Sequence, residues 1–191
     1  MSAAGVILAA GESRRMGSPK ALLQYRGQTF LDTLISLLAE HCSPVIVVLG
    51  ANADEIRGSV KRDAMFVINP DYLTGQTSSL QCGLRAVPAH AEGVLFTLAD
   101  HPAVAASTIG ALAAEPRPLI RVPRFAGRRG HPVWLSRALF AEFLALPAHG
   151  AARDVVYSHV GETEYLDVDD PGIVADIDDP AAYQALIGAG V

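Results

Sequence analysis

The sequence predicts an α/β fold in which a mostly parallel sheet is covered by helices on both faces. Three observations carry that prediction. Short apolar runs recur along the first hundred positions, longer segments of helical spacing separate them, and polar residues follow several of the runs at once. A strand buried on both faces reads as a continuous apolar run, as Val45-Ile-Val-Val-Leu49 does, and parallel strands need a helical crossover between them. The economical arrangement is a three-layer, Rossmann-like sandwich.

In order along the chain, Gly5 to Ala9 is the first strand and runs into a glycine-bounded loop. Thr29 to His41 is a helix, because Phe30, Leu31, Leu34, Leu37 and Leu38 fall on one helical stripe. Val45 to Gly50 and Met65 to Ile68 are the next strands, followed by a helix over Gln76 to Val87. Val94 to Ala99 is a further strand and Ala105 to Glu115 a further helix. After residue 116, Arg117-Pro118, the stretch Pro123 to Pro132 and Ala148-His-Gly150 break up the apolar segments, so substrate-contacting loops are expected there. No repeat or linker divides the chain. One domain over 1–191 is expected, in two halves (1–103 and 104–191), with a frayed end from Gly188 to Val191.

Composition narrows the function. At 191 residues, half of them hydrophobic, the chain can bury a sizeable core without a disulfide or cofactor. A net charge of −5 argues against broad binding to nucleic acid or to an anionic membrane and favours a small anionic ligand held by local cations. Cys42 and Cys82 lack metal-ligand or Cys-x-x-Cys spacing and read as reduced thiols. The first apolar run is short, has no preceding basic residues and passes straight into the glycine loop, unlike a signal peptide. With no stretch long enough to span a bilayer, a cytoplasmic protein is expected.

The densest chemistry lies in Val6 to Lys20. Gly11 and Gly17 free the backbone to turn its N–H groups toward phosphate oxygens, and Arg14, Arg15 and Lys20 add charge, with Ser13 offering a hydroxyl. Arginine gives planar paired donors, and lysine a compact charge that can follow a leaving group. The loop is neither a Walker A sequence nor a Gly-x-Gly-x-x-Gly, which weakens kinase and dehydrogenase readings. A glycine turn with solvated arginines is the plain alternative. Asp100 follows the apolar Gly93–Ala99 run, a position suited to oxygen coordination of magnesium or to capping a helix. Asp176 and Asp178 alternate on what reads as a short strand, and one of Asp178 and Asp179 caps the helix that Pro180 begins. Asn69, and Ser78 and Ser79 at a helix start, can meet a base or ribose or serve as caps.

Leu8-Ala-Ala-Gly-x-Ser-x-Arg-Met-Gly17 followed by Lys20 resembles the signature loop of the nucleotidyltransferases of the molybdenum cofactor cytidylyltransferase and guanylyltransferase type, whose fold is that of the nucleotide-diphospho-sugar transferases. The resemblance implies that Leu8, Ala9, Ala10, Gly11, Glu12, Ser13, Arg14, Met16 and Gly17 surround the triphosphate, with Asn69, Ser78 and Ser79 beside the nucleotide. Leu98-Ala-Asp-His-Pro102 is similar to the family's Leu-x-Asp-x-Pro segment, and Asp176-Ile-Asp-Asp-Pro180 to its Asp-Ile-Asp-Thr-Pro segment. These imply Mg2+ on Asp100 and Asp176, ahead of Asp178, and catalysis by Arg15, Lys20 and Asp100.

Gly130-His-Pro-Val133 resembles an element of the cytidylyltransferase branch, implying an acceptor contact at His131. Arg153 ends a segment in which Ala148, His149 and Ala151 replace the family's Gly, Asp and Gly, so Arg153 is the remaining acceptor residue. Ala9-Ala10-Gly11 is similar to the cytidylyltransferase branch, whereas the other branch has Ala-Gly-Gly. The implied partners are CTP, a phosphorylated acceptor of the molybdopterin type and a molybdoenzyme client. GTP, a sugar or polyol phosphate, or a non-catalytic carrier of nucleotide or finished cofactor are the alternatives.

Overall fold

A computed structural model describes residues 2–147 and 150–188. Its regular elements are β1 (Ser2–Ala9), β2 (Gln24–Tyr25), β3 (Gln28–Thr29), α1 (Phe30–Ala39), β4 (Cys42–Leu49), α2 (Ala53–Ser59), β5 (Met65–Ile68), α3 (Gln76–Ala86) and β6 (Ala91–Leu98). They continue with α4 (Ala106–Ala113), β7 (Ile120–Phe125), β8 (Arg128–Arg129), β9 (Val133–Ser136), α5 (Phe140–Ala145), α6 (Ala152–Ser158), β10 (Thr163–Asp167) and α7 (Pro180–Gly188). Strand order is β10-β7-β9-β6-β1-β4-β5, with β8 paired to β7, while β2 and β3 form a separate hairpin. Pairing is parallel from β6 through β1 and β4 to β5 and between β10 and β7, and β9 runs antiparallel to both its neighbours. This is the mostly parallel, helix-covered sheet that the apolar runs predict.

Side-chain alternation along the strands builds two cores. Ile7, Val47, Leu49 and Leu95 pack against Leu31, Leu34, Ile35 and Leu38 of α1, with Ile56, Ile109 and Leu112 from α2 and α4. Val6, Leu8, Ile46, Val48 and Phe96 face the opposite layer, made by Leu80 and Leu84 of α3 and Phe140 and Phe143 of α5. Gly83 lets α3 lie directly on the sheet: a Cβ there would sit 2.7 Å from Val6 Cγ1 and 3.0 Å from Val48 Cγ2.

The four predicted strands and three predicted helices are present with shifted ends. The strand expected to end at Ala99 ends at Leu98, and the helix expected from Thr29 to His41 runs from Phe30 to Ala39, with the Thr29 hydroxyl accepting from Asp32 N as its cap. The second half differs more. Where loops are expected after residue 116, β7, β9 and β10 extend the same sheet. Pro123 disguises β7, yet the strand accommodates it because pairing to β9 ends at Arg121 and pairing to β8 begins at Arg124. The Asp176–Asp178 stretch is irregular chain, not a strand. Ala148 and His149, and the predicted frayed residues 189–191, lie outside the described residues.

Two buried charges tie together the segments that follow β6. Arg121 donates to the carbonyls of Ala111, Leu112, Ala114 and Pro116 and pairs with Glu164, closing the C-terminal end of α4 against β10. Asp170 accepts from Ala105 N, the Thr108 hydroxyl and Gly172 N, supplying the N-terminal cap that Ala105 cannot. The chain after Asp170 is thereby led over the strand ends, where Ile173 O accepts from His131 N (3.0 Å) and Ile177 N donates to Asp100 O (3.1 Å). Both cysteines are free, with Cys42 buried. Among the described residues no helix is long and apolar enough to cross a membrane.

Candidate active site

The carboxyl ends of β1 and β6 lie side by side, with Leu8 opposite Leu98, so the glycine loop and Asp100 leave the sheet at one edge. This is where ligands bind in open α/β sheets. Ser13 organises the loop from within. Its φ of 52° is left-handed, its carbonyl accepts from Met16 N (2.9 Å) and Gly17 N (3.2 Å), and its Oγ accepts from Lys20 N (3.0 Å). Gly17, at φ 74°, makes the second left-handed turn. The result is a folded loop that carries Arg14 and Arg15 outward and returns Lys20 to the strand ends.

The three cations have different partners. Lys20 Nζ donates to Asp178 Oδ1 and lies 3.4 Å from Asp100 Oδ2, and Arg15 donates to Asp178 Oδ2 at 2.5 Å. Arg14 pairs with its neighbour Glu12 at 2.8 Å in open solvent. Asp178 is therefore the anchor for both Lys20 and Arg15. The hydrogen bond from Lys20, followed by that from Arg15, holds its carboxyl below the usual range against the opposing effect of burial. Asp176 behaves oppositely: partial burial, then the like charges of Asp100 and Asp178, push its carboxyl up. Asp179 Oδ1 accepts from Ala182 N and caps α7, so the capping role falls to Asp179.

Asp100, His101 and Asp176 each offer a donor atom such that the three atoms lie within 4.8 Å of one another. Asp100 Oδ1 is buried and has no hydrogen-bond partner among the described residues. A carboxylate oxygen left unpaired next to a second carboxylate fits a cation site, because either group alone would be costly to hold there in its charged form.

Two cavities meet at this edge, sharing Leu8, Gly11 and Asp100. One, of ≈ 220 Å³, is lined also by Ala9, Ser13, Arg14, Arg15, Lys20 and Asp178. The other, also ≈ 220 Å³, is closed by Ala10, Tyr72, Gly75, Gln76 and Ser79. Asn69 is buried and spends its amide on Ser78 Oγ (2.9 Å), Ser79 Oγ (3.0 Å) and Asp71 N (3.0 Å), so it braces the start of α3. Met16 packs beside Tyr25, Phe30 and Ile177, away from both cavities.

His131 and Arg153 line a third cavity of ≈ 260 Å³, floored by Leu80, Phe96, Val122 and Phe143 and flanked by Arg129 and Tyr157. Gln76 borders this cavity as well as the second. The His131 ring lies 5.2 Å from those of Phe96 and His101. Burial, and then the neighbouring His101, push His131 down to about 4, so its imidazole is neutral near pH 7. Sequence reasoning passed over His101, Tyr72 and Gln76. The first stood inside the Leu98–Pro102 motif, but nothing in one sequence says which way its ring points.

This geometry has a family. A model of the MobA-like NTP transferase domain matches residues 5–163, which include the glycine loop, Asp100 and His131. The chain belongs to the MobA-like NTP transferase family. It is a nucleotidyltransferase of that family, with the fold to match. It is 36% identical over 148 residues to nicotine blue oxidoreductase of Paenarthrobacter nicotinovorans, covering 71% of each chain. It is 27% identical over 177 residues to the molybdenum cofactor cytidylyltransferase of Escherichia coli K12, covering 92% of this chain and 90% of that one. Among solved structures, Rv0371c of Mycobacterium tuberculosis H37Rv superposes with a TM-score of 0.86 at 30% identity, covering 98% of this chain and 99% of the other. A manganese complex of that mycobacterial protein superposes with a TM-score of 0.80, over 99% and 100% of the two chains.

Proposed function

We propose that this MobA-like chain transfers CMP from CTP to a phosphorylated acceptor of the molybdopterin type and releases pyrophosphate. One observation carries the reading: the cation-bearing loop and the Asp100–Asp176 pair lie at one sheet edge, beside a cavity that borders the His131 and Arg153 cavity through Gln76. An acceptor phosphate oxygen attacks the α-phosphorus of the nucleotide, the bond from that phosphorus to the bridging oxygen breaks, and pyrophosphate leaves with the bond's electrons. No covalent enzyme intermediate is required.

The loop from Gly11 to Arg15 cradles the triphosphate with backbone N–H groups, those of Met16 and Gly17 being taken by the Ser13 carbonyl. Lys20 and Arg15 face the transferred and leaving phosphates, where negative charge grows, and Asp178 holds both in position. Asp100 and Asp176 hold a divalent cation, magnesium in the simplest case. When bound, that ion neutralises phosphate charge and draws donor and acceptor together. Neutral His131 and cationic Arg153 receive the acceptor in the third cavity. Preference for CTP rests on Ala10, whose methyl group narrows the second cavity against a purine. The cation-rich loop favours phosphate chemistry over the oxidoreductase activity named for one relative.

The test is pyrophosphate release in the presence of a divalent cation, with CTP, GTP, ATP and UTP offered in turn. Each is paired with molybdopterin-type cofactor and with sugar and polyol phosphates. CTP-specific release with the pterin is the expected result. Release with another nucleotide or acceptor replaces those assignments and keeps the reaction class, and tight CTP binding without release from any pair replaces the enzyme with a carrier.

A further inference from the structure

Asp100 carries a buried Oδ1 with no hydrogen-bond partner among the described residues, and the neighbouring imidazole turns one ring nitrogen toward it. His101 is only 6% exposed, its Nδ1 is buried without a hydrogen-bond partner among the described residues, and its Nε2 lies 3.7 Å from Asp100 Oδ1. That separation is too long for a hydrogen bond. It matches the ~3–4 Å between two donors bound to one ion through bonds of about 2.1 Å. An ion held between Asp100 Oδ1 and His101 Nε2 satisfies the unpaired carboxylate oxygen, and Asp176 completes a compact set of two carboxylates and one imidazole.

We propose that His101 is a third, nitrogen ligand of the divalent cation, and that it makes this site prefer a first-row transition dication over magnesium. The inference rests on the reading of Asp100 and Asp176 as metal ligands. Magnesium favours an all-oxygen octahedron and gains little from imidazole, whereas transition dications bind nitrogen more strongly along the Irving–Williams order. The residue next to Asp100 in the Leu98–Pro102 motif thus sets which ion the site selects. The His131 ring packs 5.2 Å from the buried His101 ring, between ring centres.

Mn2+ is the probe, because it is paramagnetic and reports its own ligands. The full-length protein is loaded with Mn2+ alone, and pulsed electron paramagnetic resonance reads directly coupled histidine 14N. Titration calorimetry then gives Mn2+ and Mg2+ affinities for the wild type, His101→Gln and Asp100→Asn, with a thermal melt to confirm folding of each variant. The expected result is a histidine 14N coupling in the wild type that is lost in His101→Gln. In that variant Mn2+ affinity falls by about tenfold or more and Mg2+ affinity changes by less than about threefold.

A wild-type Mn2+ spectrum without histidine coupling overturns the proposal whether or not any variant folds, as does a His101→Gln protein with unchanged metal affinities. In both cases, loss of binding in Asp100→Asn leaves the carboxylate site standing. If Asp100→Asn binds both ions as the wild type does, the metal reading of this edge fails, and His101 with it.

Discussion

Lys20 gives the sharpest test of how the loop works. Its ammonium sits between Asp178 and Asp100 with its side chain only 15% exposed, so the charge is partly shielded from water. Two unit charges ~4 Å apart interact by about 4 kcal/mol at an effective dielectric of ~20. Allowing for residual screening, ~3–4 kcal/mol of stabilisation of a developing phosphate charge is at stake, or about 10²–10³ in kcat/KM. Lys20→Met keeps the aliphatic stem and removes the charge.

Fold stability should respond far less. Asp178 retains Arg15 at 2.5 Å, so the loss is about 1–2 kcal/mol, or ~2–8 °C in Tm for a chain of this size. The assay is pyrophosphate release at saturating acceptor, with a thermal melt on the same sample. Lys20→Arg should remain as stable as the wild type but stay well below it in turnover, because a planar fork does not fit a point charge held between two carboxylates. A folded Lys20→Met protein whose kcat/KM lies within about threefold of the wild type would reduce Lys20 to a strut for Asp178 and refute the phosphate role.

Other outcomes follow from the same geometry. Asp100→Asn should lose pyrophosphate release by at least ~10³-fold while its thermal melt stays cooperative; full activity removes Asp100 from the reaction. Gly83→Ala should cost about 1–3 kcal/mol, because the new Cβ would meet Val6 at 2.7 Å, and a chemical melt with unchanged midpoint contradicts the close seating of α3. Burial pushes the Cys42 thiol up to about 12, and half-buried Cys82 is raised less, so a thiol reagent at about pH 8 should label Cys82 in the native protein and reach Cys42 on unfolding. His159 is raised by hydrogen bonds to Glu162 and then Glu142. Its folded value lies above its unfolded one, so the stabilisation is complete below ~6.5 and fades as pH rises through the folded value. The Tm gap between wild type and His159→Gln should be open at about pH 5.5 and closed by about pH 9.

What could be read in advance follows from how local the cause is. Val45–Leu49 is apolar because both of its faces are covered, and the loop's glycines are needed for turns made within the loop, so β1, β4, β5, β6, α1 and α3 announced themselves, while the short β2–β3 hairpin and α2 did not. The later strands did not. The place of β7 depends on where its neighbours' pairing stops, which is what makes Pro123 tolerable and is a property of β8 and β9. The start of α4 is legible to within one residue, but its cap is not, since that cap is Asp170, more than sixty residues away. His101 fails differently: the motif showed the residue but not the direction of its ring.

The Asp176–Asp178 segment shows how two like residues come to do different work. Both were expected on one face of a strand, where they would have been equivalent. Irregular chain instead separates them. Ile177 between them is buried and donates its N–H to Asp100 O, which fixes the segment to the end of β6. Asp178 thereby reaches Lys20 and Arg15, whose hydrogen bonds lower it, while Asp176 is raised by partial burial and then by the like charges of Asp100 and Asp178. A charge surrounded by cations has little left to offer a metal, and one crowded by anions gains most from it. The same local geometry that makes Asp178 an anchor for Lys20 and Arg15 therefore makes Asp176, on the proposed reading of this edge, the partner of Asp100.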